Sequence, residues 1–143
     1  MITYRINREA RLVAVRFAGA LTLPDFQAVF QKVLAECPEA VAFDTINDAR
    51  PEHTFFSSEE VRSLARIVKR TGLQDSERRS VVLTDNKGHF GISRIFEILT
   101  EPESKVKRLT TESLAEAAAW LKRPESLLQS ELALLAEAGV ERV

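Results

Sequence analysis

The sequence predicts an α/β protein with a mixed five-stranded sheet, and three observations on the 143-residue chain support this class. Two short apolar segments, 2–6 and 12–17, are joined by the polar stretch 7–10, which is typical of an amino-terminal β-hairpin. Strand-like and helical patterns then alternate, as in a largely parallel sheet covered by helices. A last helical pattern over about 124–139 follows the alternating units and adds an extra carboxyl-terminal helix.

The first helix and the third strand are delimited by turn and cap residues. Thr22 is a favoured N-cap residue, and Pro38 stops the helix at its other end. The apolar segment 40–46 is predicted to be the third strand. It opens into the longest loop, 47–56, so that the strand's carboxyl end is followed by a stretch long enough to contribute to a site.

The middle of the chain contains two further strand signals. Ser57 and Glu60 have the spacing of a capping box, which places a helix start there. Segment 81–83 is a short apolar run typical of a buried strand, and a helical pattern that ends before Pro102 follows it. Segment 105–109 is short and charged, as expected of a strand at a sheet edge.

Two helices are predicted after the last strand. Thr111 is expected to cap the first, which ends near Leu121, and Pro124 to start the second. The second helix carries an apolar face that either covers the chain's own sheet or packs on a second subunit. We predict the second possibility, a homodimer whose interface contains Leu128, Leu132 and Leu135.

Composition excludes several classes of function. The chain is 45% hydrophobic and 29% charged with a net charge of −1, so it predicts one globular domain with no overall attraction to nucleic acid. One cysteine rules out an internal disulfide, and two histidines make a Cys/His zinc site unexpected. Neither a signal peptide nor a membrane span is indicated, so we expect a cytoplasmic protein without metal or cofactor.

Several segments together resemble the SpoIIAA-like, or STAS, superfamily, and more narrowly its small bacterial members of unassigned function. The resemblance spans about residues 1–121 and is carried by segments 2–6, 17–22, 43–45, 90–97 and 119–121. It implies a SpoIIAA-like sheet: a β-hairpin followed by strand–helix repeats. Anti-sigma-factor antagonists of this superfamily carry a phosphorylated serine in an Asp-Ser-Ser-Gly motif. The matching region here, 44–58, has two serines but no such glycine.

The turn after segment 81–83 is a candidate anion-binding or small-ligand site. Backbone N–H groups, an ammonium group and an imidazole would meet there. The alternative is that the two glycines relieve crowding where a helix meets the sheet. The residues of this candidate site are Asp85, Lys87, Gly88, His89 and Gly91.

Two other groups of residues have both a functional and a structural interpretation. Ser57 and Ser58 could be phosphoacceptors, but Ser57 also fits a plain N-cap role. Asp44 and Asp48 could hold a divalent ion with residues of the loop 47–56. The structural alternative is that Asp44, in an apolar strand, accepts hydrogen bonds from an arginine or a backbone amide.

Taken together, these features favour a non-enzymatic interaction or regulatory module that self-associates. No catalytic residues are indicated. One alternative is a binder of a small molecule or lipid fragment, because the SpoIIAA-like outline resembles the CRAL-TRIO lipid-transfer domain. In that case Phe55 and Phe56 would cover an apolar pocket. The other alternative is a partner of a kinase, switched by phosphorylation at Ser57 or Ser58.

Overall fold

Five strands form one mixed sheet in the order β1-β2-β3-β4-β5. The computed structural model describes residues 1–51, 57–70, 76–85 and 105–141. The strands in chain order are β1 (Ile2–Asn7), β2 (Leu12–Phe17), β3 (Asp44–Asp48), β4 (Arg78–Leu83) and β5 (Val106–Thr111). The helices are α1 (Leu23–Glu36), a 3-10 helix (Pro38–Ala42), α2 (Ser58–Arg70), α3 (Leu114–Leu121) and α4 (Glu125–Glu141).

Strand directions confirm the mixed sheet predicted from the sequence. β1 pairs with β2 in antiparallel register, with Tyr4 opposite Val15, and the other neighbours are parallel. β1 and β5 lie at the two edges, as expected for the charged fifth strand. The carboxyl ends of the four parallel strands therefore meet at one edge of the sheet.

Helices cover both faces of the sheet. On one face α3 and α4 pack on Leu12, Ala14 and Ile46, together with apolar residues of β4. On the other face α1 packs on Val13 and Val15. Both faces are buried as in other α/β proteins, because alternate residues of each strand point to opposite sides.

The helix starts predicted from the sequence are confirmed at two places. Thr22 caps α1 through a capping box with Asp25, and Ser57 forms the same reciprocal pair with Glu60. A third cap was predicted wrongly. Ser113, not Thr111, caps α3, because β5 continues to Thr111 and the Thr111 hydroxyl accepts the Ser113 N–H instead.

The third strand begins later than predicted. Segment 40–46 is mostly apolar, but its first part belongs to the 3-10 helix Pro38–Ala42, which starts at a proline. Ala40 and Phe43 are buried there in the core that α1 forms with the sheet. Hence apolar character in this segment reflects packing of a turn, and β3 is the more polar stretch Asp44–Asp48.

The predicted dimer interface on the last helix requires a correction. Leu128, Leu132 and Leu135 are 0%, 6% and 1% exposed within the single chain. They pack in the same cluster as Leu12 and Ala14 of β2, so α4 covers this chain's own sheet. A second subunit cannot contact these three leucines unless α4 leaves the sheet. The homodimer itself stays a prediction.

Several sequence predictions lie outside the described residues. They are the helix before Pro102, the candidate pocket cover Phe55 and Phe56, and most of the candidate anion site, namely Lys87, Gly88, His89 and Gly91. Glu52 and His53 of the loop 47–56 also lie outside them.

Candidate ligand-binding cleft

An open cleft of about 600 Å³ lies at the carboxyl edge of the parallel strands. β3 ends at Asp48, and Asp85 follows β4 closely, so both reach this edge. α4 closes the opposite side of the cleft. Open α/β sheets bind ligands outside the carboxyl ends of their strands, so the position alone makes this cleft the leading candidate site.

Asp48 and Arg50 form a two-bond ion pair in the cleft. The Arg50 Nε lies 2.8 Å from Asp48 Oδ1, and Nη2 lies 2.9 Å from Oδ2. The Arg50 backbone N–H donates to the same Oδ1 at 3.2 Å. The Asp48 side chain is 7% exposed and that of Arg50 is 41% exposed, so a buried carboxylate holds a guanidinium that faces solvent.

This geometry fixes the charge state of Arg50. The hydrogen bonds that Arg50 donates to Asp48 raise the pKa of Arg50 above its ordinary value, and the charges of Asp48 and Asp85 add to the effect. Two of the five guanidinium N–H groups are used by Asp48. The others have no hydrogen-bond acceptor in the described ranges.

Arg16 supplies a second cation at the same edge. It lies opposite Asp48 in the parallel register of β2 and β3, and both residues line the cleft. Because Arg50 already engages the Asp48 carboxylate, the cleft presents Arg16 and Arg50 to a ligand, with the exposed Asp85 as the facing anion.

Apart from Gln129, the rest of the cleft wall is apolar or small. It is formed by one turn residue, the start of α3 and one side of α4: Pro51, Leu114, Leu132, Ala133 and Ala136. A ligand with one acidic group and a short apolar part would match both halves of this surface. The same surface would also suit the acidic, partly apolar side of a partner protein.

Of the predicted anion-site and phosphoacceptor residues that the structure describes, one lines this cleft and two do not. Asp85 is the described member of the candidate anion site, and it lines the cleft. Ser57 and Ser58 are exposed at the start of α2, where the Ser57 hydroxyl accepts the Glu60 N–H at 3.1 Å. Ser57 thus has a structural role, and phosphorylation of either serine stays a prediction.

The predicted ion-binding pair is separated by β3. Asp44 and Asp48 stand at opposite ends of this strand, and each binds an arginine. Within the described parts of the chain there is no cluster of three or more residues that could hold a metal ion. The structural interpretation of Asp44 is confirmed, because it accepts hydrogen bonds from Arg123 and from the Arg79 backbone N–H.

A polar cluster on the other face of the sheet was not predicted. The Thr45 hydroxyl donates to Ser80 Oγ at 2.7 Å, and Asn47 donates to Ser80 Oγ at 3.2 Å. Arg78 donates to Thr45 at 3.3 Å, and burial followed by the nearby Arg108 lowers the pKa of Arg78 to about 10. The alternation of side chains along β3 puts Thr45 and Asn47 on one face, and this pattern could have indicated the polar cluster from the sequence.

The fold and the cleft define an α/β protein with a mixed five-stranded sheet. Its cleft, at the carboxyl edge of the parallel strands, is lined partly by charged and partly by apolar residues. No family model matches the chain, and no curated protein matches it. No helix in the described ranges combines the length and apolar character that crossing a membrane requires.

Proposed function

We propose that this chain is a non-enzymatic interaction module of SpoIIAA-like type that binds an acidic group of a protein partner in the carboxyl-edge cleft. The observation that carries the proposal is the orientation of Arg50 by Asp48. A buried carboxylate that fixes a half-exposed guanidinium reduces the side-chain entropy that binding would otherwise cost. Arg16 beside it supplies a second positive charge.

The chemistry of the cleft is suited to recognition. Both described carboxylates of the site lie near arginine: Asp48 accepts its bonds from Arg50, and the Asp85 charge acts on the same side chain. A guanidinium held in this way binds carboxylate or phosphate through paired N–H groups, and it stays protonated throughout the physiological pH range.

A small-molecule or lipid-fragment binder is the second candidate. The apolar side of the cleft favours it, since Leu114 and Leu132 lie within the same lining as Arg16 and Arg50. A short fatty acid would place its carboxylate on the arginines and its chain along α4. The apolar wall would contribute to the binding of a fatty acid, whereas an acidic protein segment would bind mainly through the arginines.

Amide NMR of the ¹⁵N-labelled full chain would test the proposal with two probes. The first is a blocked decapeptide rich in Asp and Glu, and the second is decanoate. Shifts confined to the amides of Arg16, Asp48, Arg50, Asp85 and Leu114 on addition of the peptide would support the interaction module. The same shifts with decanoate and not with the peptide would favour the second candidate. If millimolar concentrations of both probes leave these amides unchanged, the proposal is refuted.

Arg50 provides a matched pair of variants. Arg50→Lys keeps the positive charge but loses the paired N–H geometry, and Arg50→Ala loses both. We expect peptide affinity to fall about tenfold or more in Arg50→Ala and less in Arg50→Lys. Equal affinity in all three proteins would show that the peptide binds without Arg50 and would contradict the proposed role of this side chain.

A further inference from the structure

The outer edge of β1 lies in a groove between two helices, and this groove is independent of the carboxyl-edge cleft. It has a volume of about 500 Å³. β1 forms its floor, α1 one side and α4 the other. We propose that this groove is the interface for a second copy of the chain, whose β1 pairs antiparallel with β1 across a two-fold axis and joins the two sheets.

The strand edge is regular enough to accept a partner. β1 keeps an unbroken six-residue register with β2 and contains no proline. The Met1 amino group and the Met1 carbonyl both bond to Ala18, so residues at odd positions of β1 exchange hydrogen bonds with β2. Alternation then turns the backbone N–H and C=O groups of Ile2 and Ile6 toward the groove. Edges of this kind pair with other strands unless they are protected.

In the proposed register Ile2 of one copy lies opposite Ile6 of the other, about a two-fold axis at Tyr4. Thr3 then lies opposite Arg5 of the second copy. The Arg5 side chain is 46% exposed and uses Nε for Glu131, which leaves its Nη groups at the surface that the second copy meets.

The helix beside the groove is complementary to itself in charge. Asp25 and Lys32 of α1 line the groove on either side of Ala28. A two-fold axis near Ala28 brings Asp25 of one copy opposite Lys32 of the other, and Lys32 opposite Asp25. A residue as small as alanine at the crossing point lets the two helices approach closely. The same interaction is therefore made twice, as a two-fold interface requires.

The other helix contributes an exposed apolar side chain. Leu134 is 40% exposed, whereas Leu135 beside it is buried against the sheet, and both line the groove. The same two-fold axis brings Leu134 of one copy toward the α4 surface around Leu134 of the other. Three elements are thus complementary to their own copies about one two-fold axis: the strand edge, the charged pair on α1 and the leucine on α4.

Sedimentation of the full chain over a concentration series would test the interface. We expect wild type to sediment as a dimer, and Leu134→Glu and Lys32→Glu each to raise the dimer dissociation constant about tenfold or more. Ala133→Glu is the matched control, because Ala133 is exposed on α4 but lines the carboxyl-edge cleft instead. Circular dichroism would establish that each variant is folded. A monomeric wild type, or equal weakening by Ala133→Glu, would overturn the proposal.

A cysteine cross-link would test the register without weakening the interface by charge. The one native cysteine, Cys37, is buried and should not react. In the proposed register Tyr4 lies opposite itself at a Cα separation of about 5.5 Å, which a disulfide can span. We expect Tyr4→Cys to form a covalent dimer on oxidation and Ile2→Cys to remain uncross-linked. A cross-link through Ile2→Cys, or none through Tyr4→Cys, would refute this pairing.

Discussion

Arg123 Nη1 lies 2.6 Å from Asp44 Oδ2 and links the turn between α3 and α4 to the start of β3. The same guanidinium donates to the carbonyl oxygens of Ala10, Arg11 and Leu121. It therefore binds the β1–β2 hairpin, the central strand and the end of α3 at once. Asp44 and Arg123 are both mostly buried, so the pair is shielded from solvent.

Replacement of Arg123 should destabilise the protein strongly. Arg123→Ala leaves the Asp44 carboxylate with one described hydrogen bond and removes the donors to three carbonyl groups, two of them partly buried. We therefore expect a loss of about 2–4 kcal/mol in the free energy of unfolding. Arg123→Lys keeps the charge but not the fork of donors, and a smaller loss is expected. Urea denaturation would measure both. Arg62→Ala on the exposed face of α2 is the control, and a loss as large as in Arg123→Ala would contradict this account.

The two serines at the start of α2 should differ in their effect on stability. Ser57→Ala removes the hydroxyl that accepts the Glu60 N–H, and we expect a loss of about 1 kcal/mol. Ser58→Ala changes the first helical residue, which makes no cap bond, so its effect should stay within about 0.5 kcal/mol. Thermal and urea unfolding of both variants would establish the difference. Equal losses would show that Ser57 is not the cap that stabilises α2.

Glycine at position 122 should stabilise the turn between α3 and α4. Lys122 has φ 56° and ψ 44°, the left-handed region that glycine adopts without steric cost. Its N–H and that of Arg123 bond back to Ala119 and Ala118, which is the Schellman arrangement. We expect Lys122→Gly to raise the unfolding free energy by about 0.5–1 kcal/mol. Lys122→Ala keeps the Cβ and should give no gain; a gain there would point to loss of charge as the cause.

The buried Arg78 should make stability depend on alkaline pH. Its folded-state pKa is lowered to about 10, chiefly by burial, whereas the unfolded chain has the higher ordinary value. Above pH 10 the unfolded state therefore binds more protons, and the contribution of Arg78 to the unfolding free energy rises with pH. We expect the free energy of unfolding of wild type, relative to that of Arg78→Gln, to rise between pH 9 and 11 by up to about 1.4 kcal/mol per pH unit. A constant difference would contradict the lowered pKa.

The sequence predicted those features that depend on near neighbours. The capping box at Ser57 and Glu60 and the hairpin of β1 and β2 follow from residues a few positions apart. The apolar run 40–46 was misleading for the same reason. Local patterns distinguish buried from exposed residues, but a buried 3-10 turn and a buried strand have the same apolar signature.

Long-range partners could not be predicted in the same way. The polarity of Asp44 within an apolar strand indicated that it needed an arginine or an amide, but nothing in the pattern pointed to Arg123, 79 residues away. The leucines of α4 were recognised as an apolar face, yet the face alone does not say whether it meets its own sheet or another chain. Arg16 and Arg50 became site residues only because parallel strands bring their ends together.

The position of α4 has a consequence for synthesis of the chain. Leu12 of the first hairpin is covered by leucines of α4, and Arg123 bonds to Ala10 across 113 positions of sequence. The hairpin therefore emerges from the ribosome long before α4, which covers it, has been synthesised. During that interval the apolar side of β2 is exposed to other proteins, and a chain that ends before α4 would be prone to aggregation.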